Sequence, residues 1–476
     1  MTSIYSARWV LPIASPAIEF GAVATESAKI VGVGEARDIV SRFPHAAVAD
    51  FGTSVILPGL VNAHSHLELT VMRGFLEREE HDFFAWLRKL TISRMAMTAD
   101  DLFVSAACGA IEAARAGITC VGDSSSGATQ SMRALSEVGL RGIVYQESFG
   151  PDPSLAETNV AQLRRQLEEI RVLETTTVHA GVSPHAPYTV SARQLELIAR
   201  MALEDRLPLM MHAAESEAER SFMADGTGPF AEGLRNRGID WQAPGISTIQ
   251  YLARHGVLQT KPLLAHCITV DDNDVETIRA ASAGIAHCPK SNAKLRHGRA
   301  PFAKFVNVGL KVGLGSDSVA SNNNCDILDE ARFATLLARV SAARGSSPTV
   351  REGVPNTYAL ADARATAPIG AQQAIFAATL GGARALGLED QIGALAEGMQ
   401  ADLIVVGLDG AHQQPVTDPT DALVFSSSAR DVRMTMVAGK EIYREGKLPT
   451  ADAGELLLRL QNTRQGLDGL TKNNEQ

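Results

Sequence analysis

The sequence predicts an α/β protein: a (β/α)8 barrel of the TIM type with a small β-sandwich domain built from both termini. Three observations predict this architecture. Between about residues 98 and 344, short apolar runs alternate with longer segments of helical period, which is the pattern of parallel strands covered by helices. Together with the run at 54–63, eight such strand runs can be counted, the number in a TIM barrel. Short β-like runs separated by Gly and Asp turns lie near both ends of the chain.

The candidate barrel strands are short, rich in β-branched residues and close to Gly, Pro, Asp or Ser. They are SVILPGLVNA (54–63), ITCVGD (118–123), RGIVYQE (141–147), TTVHAGVSP (176–184), PLMMHAAE (208–215), PLLAHC (262–267), GIAHCP (284–289) and KVGLGSDS (311–318). The segments between them include TADDLFVSAACGAIEAARAG and SARQLELIARMALEDR. Each opens with Thr or Ser followed three residues later by an acidic or amide side chain, which predicts the start of a helix.

The runs outside the barrel predict a second, composite domain. ARWVLPI and AKIVGVG lie near the start of the chain, and GMQADLIVVGLDG and VRMTMVAGKEIYREGK lie near its end. We therefore expect residues 1–56 and 385–476 to form one small β domain with a C-terminal tail, and residues 57–384 to form the barrel. The Leu-Pro-Gly sequence at 57–59 is the predicted turn from one domain into the other.

Composition excludes several classes of function. The formal net charge of -10 argues against a polyanion-binding surface, so we expect no nucleic-acid partner. The five cysteines are scattered without a Cys-x-x-Cys pair and predict buried small side chains rather than disulfides. The N-terminus does not resemble a secretory signal, and no run approaches about 20 apolar residues. The sequence therefore predicts a soluble cytoplasmic protein without membrane contact.

Polar residues at the predicted strand ends point to a metal site. His64 and His66 are separated by one residue and therefore lie on the same face of the first strand. The carboxyl ends of barrel strands form the active-site face, and later strand ends add further groups: His185, His212, Glu215, His266 and Asp317. Three imidazoles and one carboxylate, from His64, His66, His212 and Asp317, suit Zn²⁺ or Fe²⁺ and leave a position open for water.

Six ordered motifs resemble the amidohydrolase superfamily, specifically its cytosine deaminase and chlorohydrolase-like branch, which includes the S-adenosylhomocysteine, methylthioadenosine and aminofutalosine deaminases. They are PGLVNAHSHLE, SPHAPYT, MHAAESE, LLAHC, HCPKSNAKL and GLGSDS. The resemblance implies one divalent metal ion, with Zn²⁺ preferred and Fe²⁺ open, held by His64, His66, His212 and Asp317. Some relatives bridge two metals with a carboxylated lysine, but no lysine lies between Lys89 and Lys261.

The resemblance also implies catalytic roles. Glu215 takes a proton from the attacking water and passes it to a ring nitrogen of the substrate. His266 hydrogen-bonds the water or the developing oxyanion. Asp317 binds the metal and also accepts a proton that is later delivered to the leaving group. At the seventh strand end, His287 and Asn292 are expected to brace the loop.

A further group is expected to bind the substrate: His185, Glu68, Arg73, Trp86 and Gln146. His185 is expected to hydrogen-bond the substrate or shape its pocket. Glu68 is equally compatible with a substrate contact and with a supporting carboxylate at a helix start. Trp86 is compatible with a pocket wall and with the core.

The predicted function is that of a hydrolase acting on C–N bonds other than peptide bonds. Its predicted reaction is the deamination of an amino-substituted N-heterocycle: an aminopurine nucleoside or thioether derivative, aminofutalosine, a pterin or a pyrimidine. Hydrolytic displacement of chloride or an alkylamine from a triazine-like ring would use the same site and stays open. A non-catalytic scaffold is disfavoured because no ligand is missing. The branch also predicts a homo-oligomer.

Overall fold

The structure is a computed structural model that describes residues 1–345 and 369–474. Its strands, numbered along the chain, are β1 (Thr2–Val10), β2 (Ile18–Glu26), β3 (Lys29–Glu35), β4 (Ala47–Asp50), β5 (Ser54–Pro58), β6 (Leu60–Ser65), β7 (Ile118–Ser125), β8 (Arg141–Ser148), β9 (Val178–Pro184), β10 (Met210–Ala213), β11 (Leu263–His266), β12 (Gly284–His287), β13 (Lys311–Leu314), β14 (Leu403–Gly407), β15 (Val432–Val437) and β16 (Lys440–Arg444).

The α-helices are α1 (Ala36–Arg42), α2 (Phe83–Met95), α3 (Ala99–Arg115), α4 (Ala128–Val138), α5 (Ala156–Arg171), α6 (Ala192–Asp205), α7 (Glu217–Asp225), α8 (Pro229–Asn236), α9 (Thr248–Arg254), α10 (Asp272–Ala281), α11 (Pro289–Lys294), α12 (Phe302–Asn307), α13 (Val319–Asn322), α14 (Ile327–Gly345), α15 (Ala371–Phe376), α16 (Gly382–Leu386), α17 (Pro419–Phe425) and α18 (Ala453–Asn474). Both predicted helix-start signatures are confirmed. Thr98 and Asp101 form a reciprocal capping box at α3, and the Ser191 hydroxyl accepts from the Gln194 amide at α6.

The strands β6 to β13 form the barrel. They pair in parallel in two groups, β6-β7-β8-β9 and β10-β11-β12-β13. Parallel bridges between Val182 and Leu209 and between Ser65 and Asp317 connect the groups. The eight strands thus follow one another around a ring, which confirms the predicted (β/α)8 architecture and gathers their carboxyl ends at one face.

The strands outside the barrel form one sheet in the order β16-β15-β14-β5-β1-β2-β3, with β4 paired to β1. Strands from both ends of the chain therefore combine, as the sequence predicts. The domain boundaries at 56/57 and 384/385 stay predictions, and residues 346–368 of the predicted barrel domain lie outside the described residues.

The chain passes from this sheet into the barrel at Gly59. The predicted strand 54–63 is two strands in the structure, because β5 pairs in the outer sheet and β6 in the barrel. A Cβ at Gly59 would lie 2.0 Å from Thr119 Oγ1, so only glycine fits at this close approach. The turn positions β6, and with it His64 in the strand and His66 directly after it.

The interior of the protein is apolar and contains the cysteines, in agreement with the composition. A continuous apolar cluster joins the barrel strands to the covering helices, and the alanine-rich face of α3 is part of it. All five cysteines are free and buried, as predicted. In the part of the chain that the structure describes, no helix is long and apolar enough to cross a membrane.

Candidate active site and metal centre

The four predicted metal ligands converge at the carboxyl face of the barrel. His64 lies in β6 and His66 follows it, His212 lies in β10, and Asp317 follows β13. The His66 Nε2 atom lies 3.3 Å from His212 Nε2 and 3.6 Å from Asp317 Oδ1. The His64 Nε2 atom lies 3.4 Å from the same carboxylate oxygen.

These donor atoms fit one divalent cation. A tetrahedral zinc site with metal–ligand distances of about 2.0–2.2 Å separates neighbouring ligand atoms by about 3.3–3.6 Å, and the three separations given above lie in that range. Both ring nitrogens of His64 are buried and lack a hydrogen-bond partner among the described residues. Such orphaned polar atoms are costly, and coordination would relieve that cost.

The imidazoles of His64 and His212 are uncharged and can donate lone pairs. Burial lowers the pKa of His64 to about 4 and the pKa of His212 well below its ordinary value, so both rings are neutral at pH 7. The His212 Nδ1 atom lies 3.0 Å from the His185 carbonyl oxygen. It therefore donates its proton there and leaves the Nε2 lone pair facing the cluster.

Asp317 is held with one oxygen toward the imidazoles. The Ser291 and Ser321 hydroxyls donate to its Oδ2 atom at 2.5 and 3.1 Å, and Oδ1 faces the histidines. Burial alone would raise the pKa of this carboxyl, but the contact with His64 outweighs burial and holds the pKa well below its usual range. The group is therefore an anionic oxygen donor.

Glu215 and His266 lie beside the predicted metal ligands. The Glu215 Oε1 atom lies 3.6 Å from His266 Nε2. The Ala214 and Glu215 amides donate to the carboxylate of Glu219 at 2.8 and 2.9 Å, which fixes the turn after β10. The His266 Nδ1 atom lies 2.8 Å from Asn292 Oδ1, so Asn292 braces this ring and turns Nε2 toward Glu215.

The structure adds two neighbours of Glu215 that sequence reasoning missed. The buried His297 places Nδ1 3.4 Å from Glu215 Oε1, and the Tyr188 hydroxyl donates to Oε2 at 3.4 Å. Burial raises the pKa of the Glu215 carboxyl, but the imidazoles of His266 and His297 outweigh that effect and hold the pKa below its usual range. His297 belongs to no predicted strand end, so only the LRHG segment after HCPKSNAK could have drawn attention to it.

A cavity of about 560 Å³ opens above these groups. Its polar wall includes His66, His185, His212, Glu215, His266 and Asp317, and its apolar wall includes Leu69, Phe83, Trp86, Leu87, Leu90 and Met95. The Phe83 and Trp86 rings stack at 5.9 Å between centroids. One side of the cavity is therefore suited to a planar apolar ring and the other to proton transfer.

Of the other residues predicted to bind the substrate, Glu68 borders the cavity, whereas Arg73 and Gln146 do not. Glu68 borders the cavity, but its carboxylate accepts from Arg94 Nε at 2.6 Å and from the Gly127 amide at 2.8 Å. Arg73 pairs with Glu112 and does not border the cavity. Gln146 donates to the carbonyl of Ser126 and is likewise not part of the wall. Adjacent strand residues point to opposite faces, so Glu147, rather than Gln146, borders the cavity.

Comparison with known proteins agrees with this barrel fold. The sequence model of the amidohydrolase family matches residues 55–442. A 5-methylthioadenosine/S-adenosylhomocysteine deaminase from Symbiobacterium thermophilum is 32% identical over 458 residues, which cover 95% of this chain and 96% of that protein. A protein of the same name from Moorella thermoacetica is 30% identical over 451 residues, covering 94% and 95%.

Solved structures show the same fold. An adenosine deaminase from Xanthomonas campestris with bound zinc superposes with a TM-score of 0.81 at 24% identity, covering 98% of each chain. The atrazine chlorohydrolase from Arthrobacter aurescens complexed with zinc superposes with a TM-score of 0.80 at 21% identity, covering 97% of this chain and 99% of that one.

The fold and the converging site define a barrel hydrolase with a candidate metal centre. The extent of the sequence match then gives the family: the chain belongs to the amidohydrolase family, whose members are metal-dependent, and it is a hydrolase that acts on C–N bonds.

Proposed function

We propose that this protein is a zinc-dependent aminohydrolase that deaminates an aminopurine nucleoside or its thioether derivative. The convergence of His64, His66, His212 and Asp317, with Glu215 and His266 beside them, carries the proposal. The Symbiobacterium and Moorella relatives are named as deaminases of methylthioadenosine and S-adenosylhomocysteine, which supports this substrate class over the pterins and pyrimidines. A homo-oligomer in the cytoplasm stays a prediction.

Three imidazole nitrogens and one carboxylate oxygen are a donor set that suits Zn²⁺. When bound, the ion supplies Lewis acidity and a water-derived nucleophile at neutral pH. The chain holds the donors in place through the His185 carbonyl, which fixes the His212 ring, and through Ser291 and Ser321, which fix Asp317.

Glu215 transfers the proton in this proposal. Its carboxylate takes a proton from the attacking water and gives it to the ring nitrogen next to the amino-bearing carbon. The His266 Nε2 atom faces the same space at 3.6 Å and hydrogen-bonds the water as charge develops. Asp317 accepts the second proton and returns it to the amino group, so that ammonia leaves.

His185 and Trp86 position the heterocycle. The Thr189 hydroxyl donates to the Ala186 carbonyl and therefore accepts from His185 Nδ1 at 2.9 Å. The His185 Nε2 atom then presents a lone pair to the cavity and can accept from an N–H of the substrate. The Trp86 ring supplies apolar surface on the opposite wall.

The test is ammonia release by the purified protein, with its metal content measured on the same sample. The panel contains adenosine, methylthioadenosine, S-adenosylhomocysteine, aminofutalosine, guanine, cytosine, isoxanthopterin and both amino- and chlorotriazines. We expect one zinc per chain and turnover of an adenine nucleoside. Turnover confined to a chlorotriazine, with chloride released, would contradict the deaminase assignment.

Two variants test the residues. Glu215→Gln is expected to keep the metal and the fold while kcat falls about 10²–10⁴-fold, because proton transfer is lost. His64→Asn is expected to lose metal and activity together. Near-normal kcat in the first variant, or full metal content with full activity in the second, would remove that residue from the mechanism.

A further inference from the structure

Glu147 is a buried carboxylate that lies beside the predicted metal ligands. Glu147 lies in β8 near its carboxyl end, and its side chain is 6% exposed. The Ser126 hydroxyl donates to its Oε2 atom at 2.7 Å. Its Oε1 atom is buried and has no hydrogen-bond partner among the described residues. A carboxylate oxygen of this kind needs a donor.

The ring of His66 offers that donor. Its Nε2 atom faces the cluster, 3.3 Å from His212 Nε2 and 3.6 Å from Asp317 Oδ1. Its other nitrogen, Nδ1, lies 3.9 Å from Glu147 Oε1. The two groups face each other about 1 Å beyond hydrogen-bond distance. The corresponding nitrogen of His212 is already anchored to the His185 carbonyl.

We infer that Glu147 is the positioning carboxylate of His66: its Oε1 accepts the Nδ1 proton and holds Nε2 toward the metal. Histidine ligands generally donate their second ring N–H to a carboxylate or a carbonyl, which fixes the tautomer and the orientation of the ring. Ser126 anchors the far oxygen, so a small rotation of the Glu147 side chain closes the gap. This inference rests on the proposed metal site.

A different role for Glu147 is direct ligation. Glu147, His185 and His212 bring three potential ligand atoms within 4.8 Å of one another, so a second ion on these residues is the competing outcome. The His212 ring argues against it, because its Nδ1 is bonded to the His185 carbonyl and its Nε2 faces the first cluster. Metal stoichiometry separates the two roles.

The experiment measures zinc affinity by competition with a chromophoric chelator and zinc stoichiometry by elemental analysis. Glu147→Leu removes the acceptor, and we expect about 10–100-fold weaker zinc binding with one site retained. Glu147→Gln keeps a neutral acceptor and should lie between wild type and Glu147→Leu. Glu196→Leu is the matched control, because Glu196 pairs with His255 at 2.9 Å outside the cavity, and its zinc affinity should equal that of wild type.

Each outcome decides the inference. The inference is supported if zinc affinity is weakest in Glu147→Leu, intermediate in Glu147→Gln and strongest in wild type. Unchanged zinc affinity in Glu147→Leu overturns the inference. A zinc stoichiometry that falls from two ions per chain in wild type to one in Glu147→Leu also overturns it. If Glu147→Leu does not fold, Glu147→Gln and Ser126→Ala give the readout, and unchanged affinity in both overturns the inference. A wild-type protein that binds no zinc refutes the proposed metal site instead.

Discussion

The ion pair between Arg141 and Asp402 connects the barrel to the outer sheet. Arg141 opens β8, Asp402 directly precedes β14, and the two side chains are almost fully buried. The guanidinium donates to the carboxylate at 2.8 and 3.1 Å, and the Ala438 amide also donates to it. Asp402→Asn keeps the shape but leaves a buried cation without its counter-charge, which costs about 3–5 kcal/mol.

Calorimetry tests this expected loss of stability in Asp402→Asn. At about 2.1 cal/mol/K per residue, unfolding 476 residues as one unit has an entropy of about 1 kcal/mol/K, so the melting temperature should fall by about 3–5 °C. The control is Glu19→Gln, which breaks the half-exposed pair of Arg8 and Glu19 and should cost about 0–1 kcal/mol. Equal small shifts in both variants would refute the assigned role of burial.

Three further predictions follow from other parts of the structure. Burial raises the pKa of Glu330 from 4.5 to about 8, so the stability that this protonated carboxyl contributes is complete below the unfolded pKa and is lost as pH rises through 8. Between pH 5 and pH 9 the melting temperature should therefore fall less in Glu330→Gln than in wild type. Parallel curves of melting temperature against pH for the two proteins would contradict this. Trp86→Ala removes an apolar wall of the cavity, so KM should rise roughly tenfold with a smaller change in kcat; steady-state kinetics with kcat alone reduced would contradict it. Thr98→Ala removes the α3 cap and should cost about 1 kcal/mol, measured by urea unfolding, with an unchanged midpoint as the contrary result.

Strand periodicity and cap chemistry were sufficient to predict the barrel. The runs at 118–123 and 141–147 lie within β7 and β8, because buried parallel strands are marked by short apolar runs. The run at 54–63 could not reveal by itself that β5 and β6 belong to different sheets. That division depends on the contact between Gly59 and Thr119, which exists only after the chain has folded.

The site was predictable where a residue followed directly from its strand. His64, His66 and His212 converge as expected because strand ends meet at one face of a barrel. The structure does not bring Arg73 and Gln146 to the cavity. Arg73 forms an ion pair with Glu112 outside the cavity. Gln146 precedes Glu147 by one residue and therefore lies on the opposite face of β8, and the hydrophobic pattern does not distinguish the two faces because both are buried.

The backbone at the strand ends shows why pattern alone could not predict the directions of the side chains there. Ala214, His266 and Asp317 have positive φ angles of 53°, 73° and 56°, a conformation that costs non-glycine residues about 1–2 kcal/mol each. Hydrogen bonds between neighbouring strand ends compensate for this cost: the Ile268 amide donates to the Ala214 carbonyl at 2.7 Å, and the Asp317 amide donates to the His64 carbonyl at 2.9 Å. The second bond joins the two ends of the ring through two predicted metal ligands. The direction of the Asp317 carboxylate therefore depends on closure of the barrel, so the predicted metal ligands come together only where the first and last barrel strands meet.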